Sequence, residues 1–458
     1  MKKERLCQWA LIVTFFCATA VFTACTQDDN NDVVTPEYST LKEALQDISL
    51  ITMIKENPDT AAVTKKKMGE LDYKEQYSMF FTQDLNHDDE GGDSFQQKVC
   101  ILFRGFDRPT IFVTEGYDWD SFKDARDLGI NLNANMVHVE HRNYGESFNQ
   151  DKGHWEYQTV AQASADLHDI YKTLKPIFKG KWMSTGTSKN GETSIGYAYY
   201  YPQDMSLASA FCSPFVLGLK DERFSHYLFE KVGTEDERNL MKTAIRKALQ
   251  GGVNGLYRTI CEQLEAEHQR KPPFTEYVFN LFDSFFQVFQ YTPQNNGRTQ
   301  QLQLLATDDD VLIGQVCSVL EENRNEDYYS YWVECAKQMG WQNNGYDYFS
   351  DLLEGTSFNS DDVLPFQLKE EDRWLVGKYD GSTYTDIVNN FFMTTTCPIL
   401  LFYVKDDPWS AGQPSRVGPN VKVVVNPIGR HASYLNDPKF CPEATKQEVM
   451  NYVSTYIY

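Results

Sequence analysis

The segment from Lys181 to Tyr200, KWMSTGTSKNGETSIGYAYY, constrains the fold of this chain more than any other. It predicts a short apolar strand, a sharp turn that contains Ser188, and a helix. A serine in such a turn stands above the sheet, and the next backbone N–H points at the oxyanion that forms there. Gly186 supplies the small residue two positions before the serine, but Asn190 occupies the usual second glycine position, with Gly191 after it. The pattern indicates a nucleophile elbow, with an ordinary strand–turn–helix as the alternative.

Strand and helix patterns alternate on both sides of this elbow. Two alternating segments, 77–85 and 95–103, are joined by a glycine-containing turn and predict a hairpin. A helix is predicted over 159–174, and a capping box of Thr40 and Glu43 predicts a short helix through Ile48. Further strands are predicted at 109–114, 135–140, 207–212, 398–404 and 421–425. Together they predict an α/β fold, a mostly parallel sheet covered by helices on both faces.

The segment from Asp221 to Met393 is almost wholly helical in pattern. Thr234 and Glu237 form a capping box, which predicts a helix that ends at the glycines of positions 251 and 252. The aromatic-rich segment 274–289 is typical of a core helix, although it could also roof a pocket. We therefore expect a helical cap at 215–393, inserted between the 39–214 and 394–458 parts of the α/β domain.

The N-terminus predicts export. A basic start is followed by the apolar segment 9–22, which is too short to span a membrane comfortably, and by Phe22-Thr23-Ala24-Cys25. This resembles a bacterial lipobox and predicts a signal peptide at 1–24, lipidation of Cys25 and a polar, acidic tether to residue 38. We expect an outer-membrane lipoprotein, with the acidic tether favouring the cell surface over the periplasmic side. Simple secretion with cleavage nearby is the alternative.

The composition of the chain limits the classes of partner that it can bind. The 458 residues carry a net charge of −22, so nucleic acid is a poor partner, and we expect membrane association only through the lipid anchor. Seven cysteines follow Cys25, and this odd number predicts at least one free thiol. Cysteines 100, 212 and 397 lie in apolar strand-like runs and are expected to pack as small hydrophobic residues. No cysteine or histidine spacing indicates a metal, and we expect no cofactor.

A serine nucleophile needs a base and an acid, and in this fold they follow in the order serine, acid, histidine. The strand at 398–404 leads into Asp406 and Asp407, which are both candidates for the acid. The strand at 421–425 leads into a loop that contains His431, the candidate base. Because each group follows its own strand in the required order, the sequence predicts a serine hydrolase with the α/β-hydrolase fold.

The hydrolase portion, from about Tyr77 to Pro214 and from Thr394 to the end, resembles the secreted bacterial prolyl tripeptidyl aminopeptidase family of serine peptidases. That family is related to lysosomal prolyl carboxypeptidase and dipeptidyl peptidase. The matching residues are the FTQ of 81–83, His87, Phe95, Gln97, the TEGY of 114–117, the VEHRNYGES of 139–147, the GTSKNG of 186–191 and the DPWS of 407–410. The family has Gly-x-Ser-Lys-Gly-Gly at the elbow, so Asn190 is a departure from its pattern.

The resemblance implies the roles of the catalytic residues. Ser188 would be the nucleophile and His431 the general base, oriented by Asp407 rather than by its neighbour Asp406. The oxyanion hole would use the N–H of Lys189 and one N–H from the loop that contains Gly116 and Tyr117. Glu140, His141 and Arg142 would form a polar network under the site, with His141 as a less favoured alternative base.

An exopeptidase that counts from the N-terminus must also bind the α-ammonium group of its substrate with a carboxylate. Glu115 and Glu192 are the candidates, and the alternative is that both are ordinary network or surface carboxylates. Trp409, with Tyr117 and Phe211, is a candidate wall for a proline-binding subsite. The resemblance thus implies a serine exopeptidase that releases dipeptides or tripeptides from oligopeptides, with cleavage after proline.

Two other functions stay open at this point. An esterase or lipase would use the same triad on a different acyl group, and the choice depends on the cap. A binding lipoprotein of the same fold would have lost catalysis, and Asn190 favours this view because a bulkier residue could obstruct the elbow. The presence of Ser188, Asp407 and His431 together argues against it.

Overall fold

A nine-stranded sheet lies at the centre of the described residues in the computed structural model of this chain, in the order β1-β2-β3-β5-β4-β6-β7-β8-β9. The strands are β1 Ile51–Glu56, β2 Glu75–Asp84, β3 Ser94–Phe103, β4 Thr110–Thr114, β5 Asn135–Val139, β6 Trp182–Thr187, β7 Leu207–Phe211, β8 Ile399–Val404 and β9 Val421–Asn426. β1, β2 and β3 pair antiparallel, and β3 joins β5 in the same way. All the remaining pairs are parallel. This confirms the predicted α/β-hydrolase fold with its leading hairpin.

The structure describes residues 38–56, 73–89, 91–118, 126–147, 155–323, 328–433 and 435–458, and residues from Tyr38 to Tyr458 form one compact unit. The predicted signal peptide, the lipidated Cys25 and the acidic tether up to residue 37 lie outside the described residues. Among the helices that are described, none combines the length and the hydrophobicity needed to cross a membrane. All seven cysteines in the described ranges are buried free thiols.

Helices cover both faces of the sheet. They are α1 Leu41–Gln46, α2 Arg126–Asn131, α3 Val160–Leu174, α4 Lys189–Tyr200 and, at the end of the chain, α16 Glu443–Ile457. Apolar residues of α2 and α16 form one buried cluster with side chains such as Ile111 and Met183, whereas α1 and α3 form another with Phe112 and Trp182. Because neighbouring strand residues point to opposite faces, these two clusters are the two sides of one sheet.

The helices between β7 and β8 form a third buried cluster. They are α5 Glu222–Glu230, α6 Glu235–Leu249, α7 Leu256–His268, α8 Phe274–Tyr291, α9 Arg298–Thr307, α10 Asp309–Glu322, α11 Tyr329–Glu334, α12 Ser350–Leu353, α13 Val363–Gln367, α14 Ser382–Asp386 and α15 Phe392–Thr394, with π-helical segments at Cys335–Met339 and Ile387–Phe391. Short 3₁₀ helices occur in the cap and also in the loops of the α/β domain. They are Gly145–Ser147, Trp155–Tyr157, Gly252–Asn254, Gln294–Asn296, Tyr346–Phe349, Ser360–Asp362, Glu370–Lys378 and Pro408–Gly412. The aromatic residues of α8 from Phe274 to Phe289 are buried in this cluster, as expected of a core helix, whereas Tyr291 at its end is exposed. The boundaries of the cap at residues 215 and 393 stay a prediction.

One strand was missed by the sequence prediction, and one predicted helix start is found as expected. β1 was not predicted, and it extends the hairpin by a third antiparallel strand. The helix predicted after Thr40 begins as expected, because the side chains of Thr40 and Glu43 each cap the other residue's backbone N–H. The carboxyl ends of the parallel strands meet at one edge of the sheet, and this edge carries every predicted catalytic residue.

Candidate active site

Ser188 stands between the end of β6 and the start of α4 with φ 60° and ψ −129°. A positive φ is uncommon for a residue other than glycine and is stored strain that the surroundings must hold. The Ser188 N–H donates to Phe211 O at 2.7 Å, and the Ser213 hydroxyl donates to Ser188 O at 2.8 Å. The neighbouring strand β7 and the residues after it therefore lock the serine backbone in the strained turn. Ser188 borders a cavity at this edge of the sheet.

Two glycines allow the tight crossing of β6 and α4. A Cβ added to Gly186 would lie 2.3 Å from the backbone of Asn190, and a Cβ added to Gly191 would lie 2.1 Å from the Ser213 hydroxyl oxygen. Both contacts are far inside van der Waals distance, so neither position accepts a larger residue. The second close approach of this elbow falls three residues after Ser188, which explains why glycine is found at 191 rather than at 190.

Asn190 connects the elbow to the loop after β4 instead of obstructing it. Its side-chain oxygen accepts the Gly116 N–H at 2.7 Å, and its amide nitrogen donates to a carboxylate oxygen of Glu115. Its backbone oxygen accepts the Thr114 hydroxyl at 3.0 Å. The departure from the expected glycine is thus a polar cross-link, and it no longer argues for a silent site.

We expect Asn190→Ala to lower the free energy of unfolding by about 1–3 kcal/mol, because it removes the side-chain partners of Gly116 N–H and of Glu115 in a buried position. Asn190→Gly, which restores the residue that the family has here, should lose roughly 1 kcal/mol more through its poor helix propensity. Chemical denaturation with kcat measured in parallel would check both. A glycine variant as stable as the wild type would contradict the cross-link.

The His431 ring is held by Asp407. Its Nδ1 lies 2.7 Å from Asp407 Oδ2, and the other oxygen, Oδ1, accepts the Trp409 N–H at 3.1 Å. Asp407 is fully buried, at 0 % exposure. The His431 backbone N–H donates to Gln290 O, on α8, at 2.8 Å. With Nδ1–H donated to the carboxylate, Nε2 is left as the basic nitrogen, and His431 borders the same cavity as Ser188.

Asp406, the alternative acid, has a different role. Its Oδ2 lies 2.9 Å from a terminal nitrogen of Arg298, and its Oδ1 accepts the Gly233 N–H at 3.3 Å. Arg298 is itself fully buried and also pairs with Glu237 at 3.0 Å. Asp406 therefore fastens the loop after β8 to the cap helices α6 and α9. The acid that contacts the histidine is its neighbour, Asp407.

Sequence reasoning missed the role of Cys212. It was expected to pack as a small hydrophobic residue, and it is buried, but its sulfur lies within 4.8 Å of a carboxylate oxygen of Asp407 and a ring nitrogen of His431. Burial raises the pKa of its thiol well above the usual value, and the nearby Asp407 charge adds to this effect. The thiol is thus a neutral contact of the acid. Its place directly after β7, at the edge that carries the site, is the signal that could have found it.

Of the predicted oxyanion-hole donors, the Gly116 N–H is already used in a hydrogen bond within the protein. Lys189 is the first residue of α4, so its N–H has no acceptor within the helix. The Gly116 N–H donates to Asn190 and is not available to an oxyanion. This takes Gly116 out of the predicted set as a donor, because its N–H is used to hold the loop. Tyr117, the next residue, borders the cavity, and its N–H is the remaining candidate of the predicted pair Gly116 and Tyr117.

His141 belongs to the polar network under the site. Its Nδ1 lies 3.0 Å from Arg142 O, and burial lowers the pKa of its ring well below the usual value. The Arg142 guanidinium donates two hydrogen bonds of 2.7 Å to the carboxylate of Asp166. Glu140 accepts both the N–H and the hydroxyl of Ser147 at 2.7 Å. His141 does not border the cavity of Ser188, so it has the structural role that the resemblance implied.

The two candidate ammonium-binding carboxylates differ in their surroundings. Glu115 has Oε1 3.0 Å from Nδ1 of His138 and its other oxygen bonded to Asn190. Burial lowers the pKa of His138 to about 3, so this ring is neutral and donates its Nδ1 proton to Glu115. Both oxygens of Glu115 therefore have partners within the protein.

Glu192 is the carboxylate with an unused oxygen. It is 1 % exposed and borders the cavity, and its Oε2 makes no hydrogen bond to any residue that the structure describes. Burial raises the pKa of Glu192 well above the usual value; the Lys189 ammonium opposes this rise, and the Glu334 carboxylate adds to it. An unpaired buried carboxylate is costly, which makes this position suited to a cationic ligand.

The cavity has a volume of about 650 Å³ and is bounded by the elbow, the loops after β4, β8 and β9, and the cap helices α8, α10 and α11. Its acidic lining residues are Glu115, Asp118, Glu192, Asp283 and Glu322. Trp409 forms part of its wall and packs against Phe286 and Trp341, with ring centroids 4.7 and 6.3 Å away. Phe211, which was expected beside it, instead packs against Phe402 within the sheet. It is therefore not part of this wall.

Residues 36–259 match the peptidase family described as PS-10 peptidase S37. This match covers just under half of the chain and, together with the relative named next, supports a serine peptidase of this family. The matched residues include Ser188, whereas Asp407 and His431 follow later in the chain. A curated relative, prolyl tri/tetrapeptidyl aminopeptidase of Streptomyces mobaraensis, is 24% identical over 361 residues, which cover 74% of this chain and 71% of the relative.

Solved structures also resemble the S37 peptidase. Rv0554 of Mycobacterium tuberculosis is 12% identical, with a TM-score of 0.39, over 82% of this chain and 99% of its own. The proline iminopeptidase of Mycobacterium smegmatis is 12% identical, with a TM-score of 0.38, over 82% and 98%. At this level of similarity neither structure bears on the fold or on the site.

Proposed function

We propose that this S37 peptidase removes short peptides, tripeptides or dipeptides, from the N-termini of oligopeptides, with Ser188, His431 and Asp407 as its catalytic triad. His431 Nε2 would take the proton of the Ser188 hydroxyl as the oxygen attacks the scissile carbonyl carbon. The N–H groups of Lys189 and Tyr117 would hold the oxyanion. His431 would then protonate the leaving amine, and water would hydrolyse the acyl-enzyme by the same steps in reverse order.

The observation that carries this proposal is the pairing of His431 with Asp407 on a cavity that also contains Ser188 and the unpaired carboxylate of Glu192. A free N-terminus carries the one positive charge that every oligopeptide shares. A carboxylate close to the nucleophile, in a site roofed by the cap, selects that end of the chain and limits the length that is released. Glu192 suits this role better than Glu115, whose oxygens are already bonded.

The cleaved bond is proposed to follow proline. Trp409 and the cap tryptophan Trp341 give the cavity the flat apolar wall that a pyrrolidine ring needs, and both border it. The relative from Streptomyces mobaraensis is named for prolyl tri- and tetrapeptidyl release, which supports proline and favours three residues over two. No separate observation favours an ester substrate.

We further propose that the enzyme works at the outer membrane, anchored through a lipidated Cys25 and facing the cell surface. The support is the N-terminal sequence alone: a basic start, a short apolar segment, two small residues before Cys25 and an acidic run after it. Oligopeptides outside the cell would then be the substrates.

A mixed peptide pool tests the function directly. The lipid-free protein and a Ser188→Ala variant would be incubated with the pool, once with free and once with acetylated N-termini, and the products would be followed by mass spectrometry. We expect the wild type to remove N-terminal fragments of two or three residues ending in proline, and the acetylated peptides and the variant to show no cleavage. Internal cleavage, or equal cleavage of acetylated peptides, would contradict exopeptidase action. Absence of any cleavage would move the proposal to an ester substrate or a binding role.

A further inference from the structure

The side chain of Lys189 is a buried cation that the proposed reaction does not use. It is 3 % exposed, although it follows directly after Ser188. Its ammonium group donates to the backbone oxygen of Gly116 and lies 2.6 Å from Oε2 of Glu334. It also lies over the ring of Tyr117, 5.4 Å from the ring centroid, and over that of Tyr144, 5.1 Å away. These contacts hold it against the loop after β4, the loop after β5 and the cap.

The carbonyl that Lys189 contacts belongs to the peptide group that ends in the Tyr117 N–H. A peptide group is planar, and the described peptide bonds are trans, so the Gly116 oxygen and the Tyr117 hydrogen point in opposite directions. Fixing the oxygen therefore fixes the direction of the N–H. An ammonium group on the oxygen also polarises the group, which makes the N–H a stronger hydrogen-bond donor.

The preceding peptide group is held as well. The Gly116 N–H donates to Asn190 Oδ1 at 2.7 Å, and a Cβ at Gly116 would come within 2.8 Å of the Lys189 side chain and of the backbone of Asn190. The loop thus lies directly on the start of α4, and rotation of the Gly116–Tyr117 peptide would break a contact on each side. Two successive residues of the elbow, Lys189 and Asn190, hold two successive peptide groups of the loop.

The other partner of Lys189 comes from the cap. Glu334 is the last residue of α11, and its second oxygen is bonded to the amide of Gln158. Burial raises the pKa of Glu334, and the Lys189 ammonium opposes this rise. The position of α11 is therefore transmitted to the ammonium group and from there to the Gly116 carbonyl.

We propose that Lys189 is a positioning residue of the oxyanion hole: its ammonium group, held by Glu334 of the cap, orients the Gly116–Tyr117 peptide so that the Tyr117 N–H faces the oxyanion. This deepens the proposed function and rests on Ser188 as the nucleophile. It connects the cap to the chemical step, since the second oxyanion donor is complete only with α11 in place. A residue that merely balances buried charge would support folding and substrate binding but would have no special effect on the transition state.

The test separates these roles with a transition-state analogue. A peptide aldehyde adds to the serine oxygen and forms a tetrahedral oxyanion, whereas an uncleaved peptide bound to a Ser188→Ala background does not. We expect Lys189→Met to lower kcat about 10²-fold with KM within about threefold, as for loss of one oxyanion donor. Its affinity for a tripeptide aldehyde should fall by the same factor as kcat. In the Ser188→Ala background, the affinity for the uncleaved tripeptide-containing substrate should be unchanged.

Two further variants keep the test decisive. Lys175→Met is the matched control, because Lys175 is a partly buried lysine that donates to a glycine carbonyl, Gly180 O at 2.8 Å, and does not line the cavity. It should leave kcat and aldehyde affinity unchanged. If Lys189→Met does not fold because Glu334 is left unpaired, Lys189→Met/Glu334→Gln restores neutrality in nearly the same volume and should show the same loss of kcat.

Several results would overturn the assignment. A Lys189→Met enzyme with kcat within threefold of the wild type is one, and an equal loss of affinity for aldehyde and uncleaved peptide is another. A double variant with restored kcat would show that the charge balance mattered and the carbonyl contact did not. Failure of the proposed function looks different, since the wild type itself would then show no turnover that depends on Ser188.

Discussion

Replacement of Asp407 by asparagine is expected to lower kcat about 10⁴-fold with little change in KM. Asp407 accepts the Nδ1 proton of His431 at 2.7 Å, and an amide in its place can hold the ring in the wrong tautomer, with Nε2 protonated and unable to act as a base. The negative charge that stabilises the imidazolium of the transition state is lost as well. Steady-state kinetics on a chromogenic peptide substrate would measure the loss, with thermal unfolding to show that the variant is folded.

Asp406→Asn is the matched control for this prediction. The two carboxylates are neighbours in the chain, but Asp406 pairs with Arg298 at 2.9 Å and fastens the cap. Its replacement should leave kcat within about tenfold and lower the free energy of unfolding by about 1–3 kcal/mol, since a charged hydrogen bond to a buried arginine is weakened. The opposite result, a small effect at Asp407 and a large one at Asp406, would reassign the acid.

Much of the fold follows from local patterns. Apolar strands of period two and helices with capping residues are properties of ten or fewer consecutive residues, which is why the hairpin, the elbow strand and the helix after Thr234 could be predicted closely. β1 escaped prediction because its residues show little strand pattern of their own: among the described side chains of 51–55, only Ile51 is buried. The order of the catalytic candidates along the chain was enough to place them at one edge of the sheet.

The rest of the site depends on partners that are far apart in sequence. Asn190 looked like an obstruction from its position in the motif, yet its side chain bonds to residues more than seventy positions earlier. Gly116 and Tyr117 could not be told apart as donors until the acceptor of the Gly116 N–H was known. Asp406 and Asp407 likewise could not be told apart as the acid until the ion pair of Asp406 with Arg298 of the cap was known. Such choices are decided by tertiary contacts, and a single sequence contains no local signal for them.

The cap is connected to both catalytic parts of the site. The residues that carry the resemblance lie in the hydrolase portion, although the family match of residues 36–259 extends into the cap helices α5 and α6. The cap supplies Gln290, which holds the backbone of His431, and Glu334, which holds Lys189. The cap helices therefore contact the base and the oxyanion loop through these residues, and cap residues such as Asp283 also line the cavity.

Glu192→Gln is the second variant with a large expected effect. If Glu192 binds the substrate's α-ammonium group, loss of the carboxylate should cost about 3 kcal/mol, or about 10²-fold in kcat/KM, as for removal of one partner of a buried charge pair. The loss should be confined to substrates with a free amine. A des-amino peptide of the same length should be a poor substrate for the wild type and should be cleaved equally well by wild type and variant.

The pH dependence of KM for free-amine peptides is an independent test of the same role of Glu192. Burial raises the pKa of Glu192, so its carboxylate is protonated at low pH and binds an ammonium group only as the pH rises through that pKa. KM for free-amine peptides should therefore fall with rising pH and rise again once the substrate amine, with a pKa of about 7.7–8.0, loses its proton. Glu192→Gln should remove the falling part of the KM profile. It should leave the pH profile of kcat unchanged.

The free energy of unfolding of the wild type should fall with rising pH, whereas its affinity for free-amine peptides should rise. The pKa of Glu192 is higher in the folded chain than in the unfolded one, so its burial costs nothing below the unfolded value of about 4.3 and costs progressively more folding free energy as the pH rises above it. Glutamine carries no charge at any pH, and the variant should equal or exceed the wild type in stability at pH 8. Glu115→Gln serves as the control, because Glu115 is bonded to His138 and Asn190: it should lose stability and keep the preference for a free amine. A Glu192 variant that loses stability at pH 8 and keeps that preference would assign Glu192 to the fold and leave the ammonium site to another acid of the cavity.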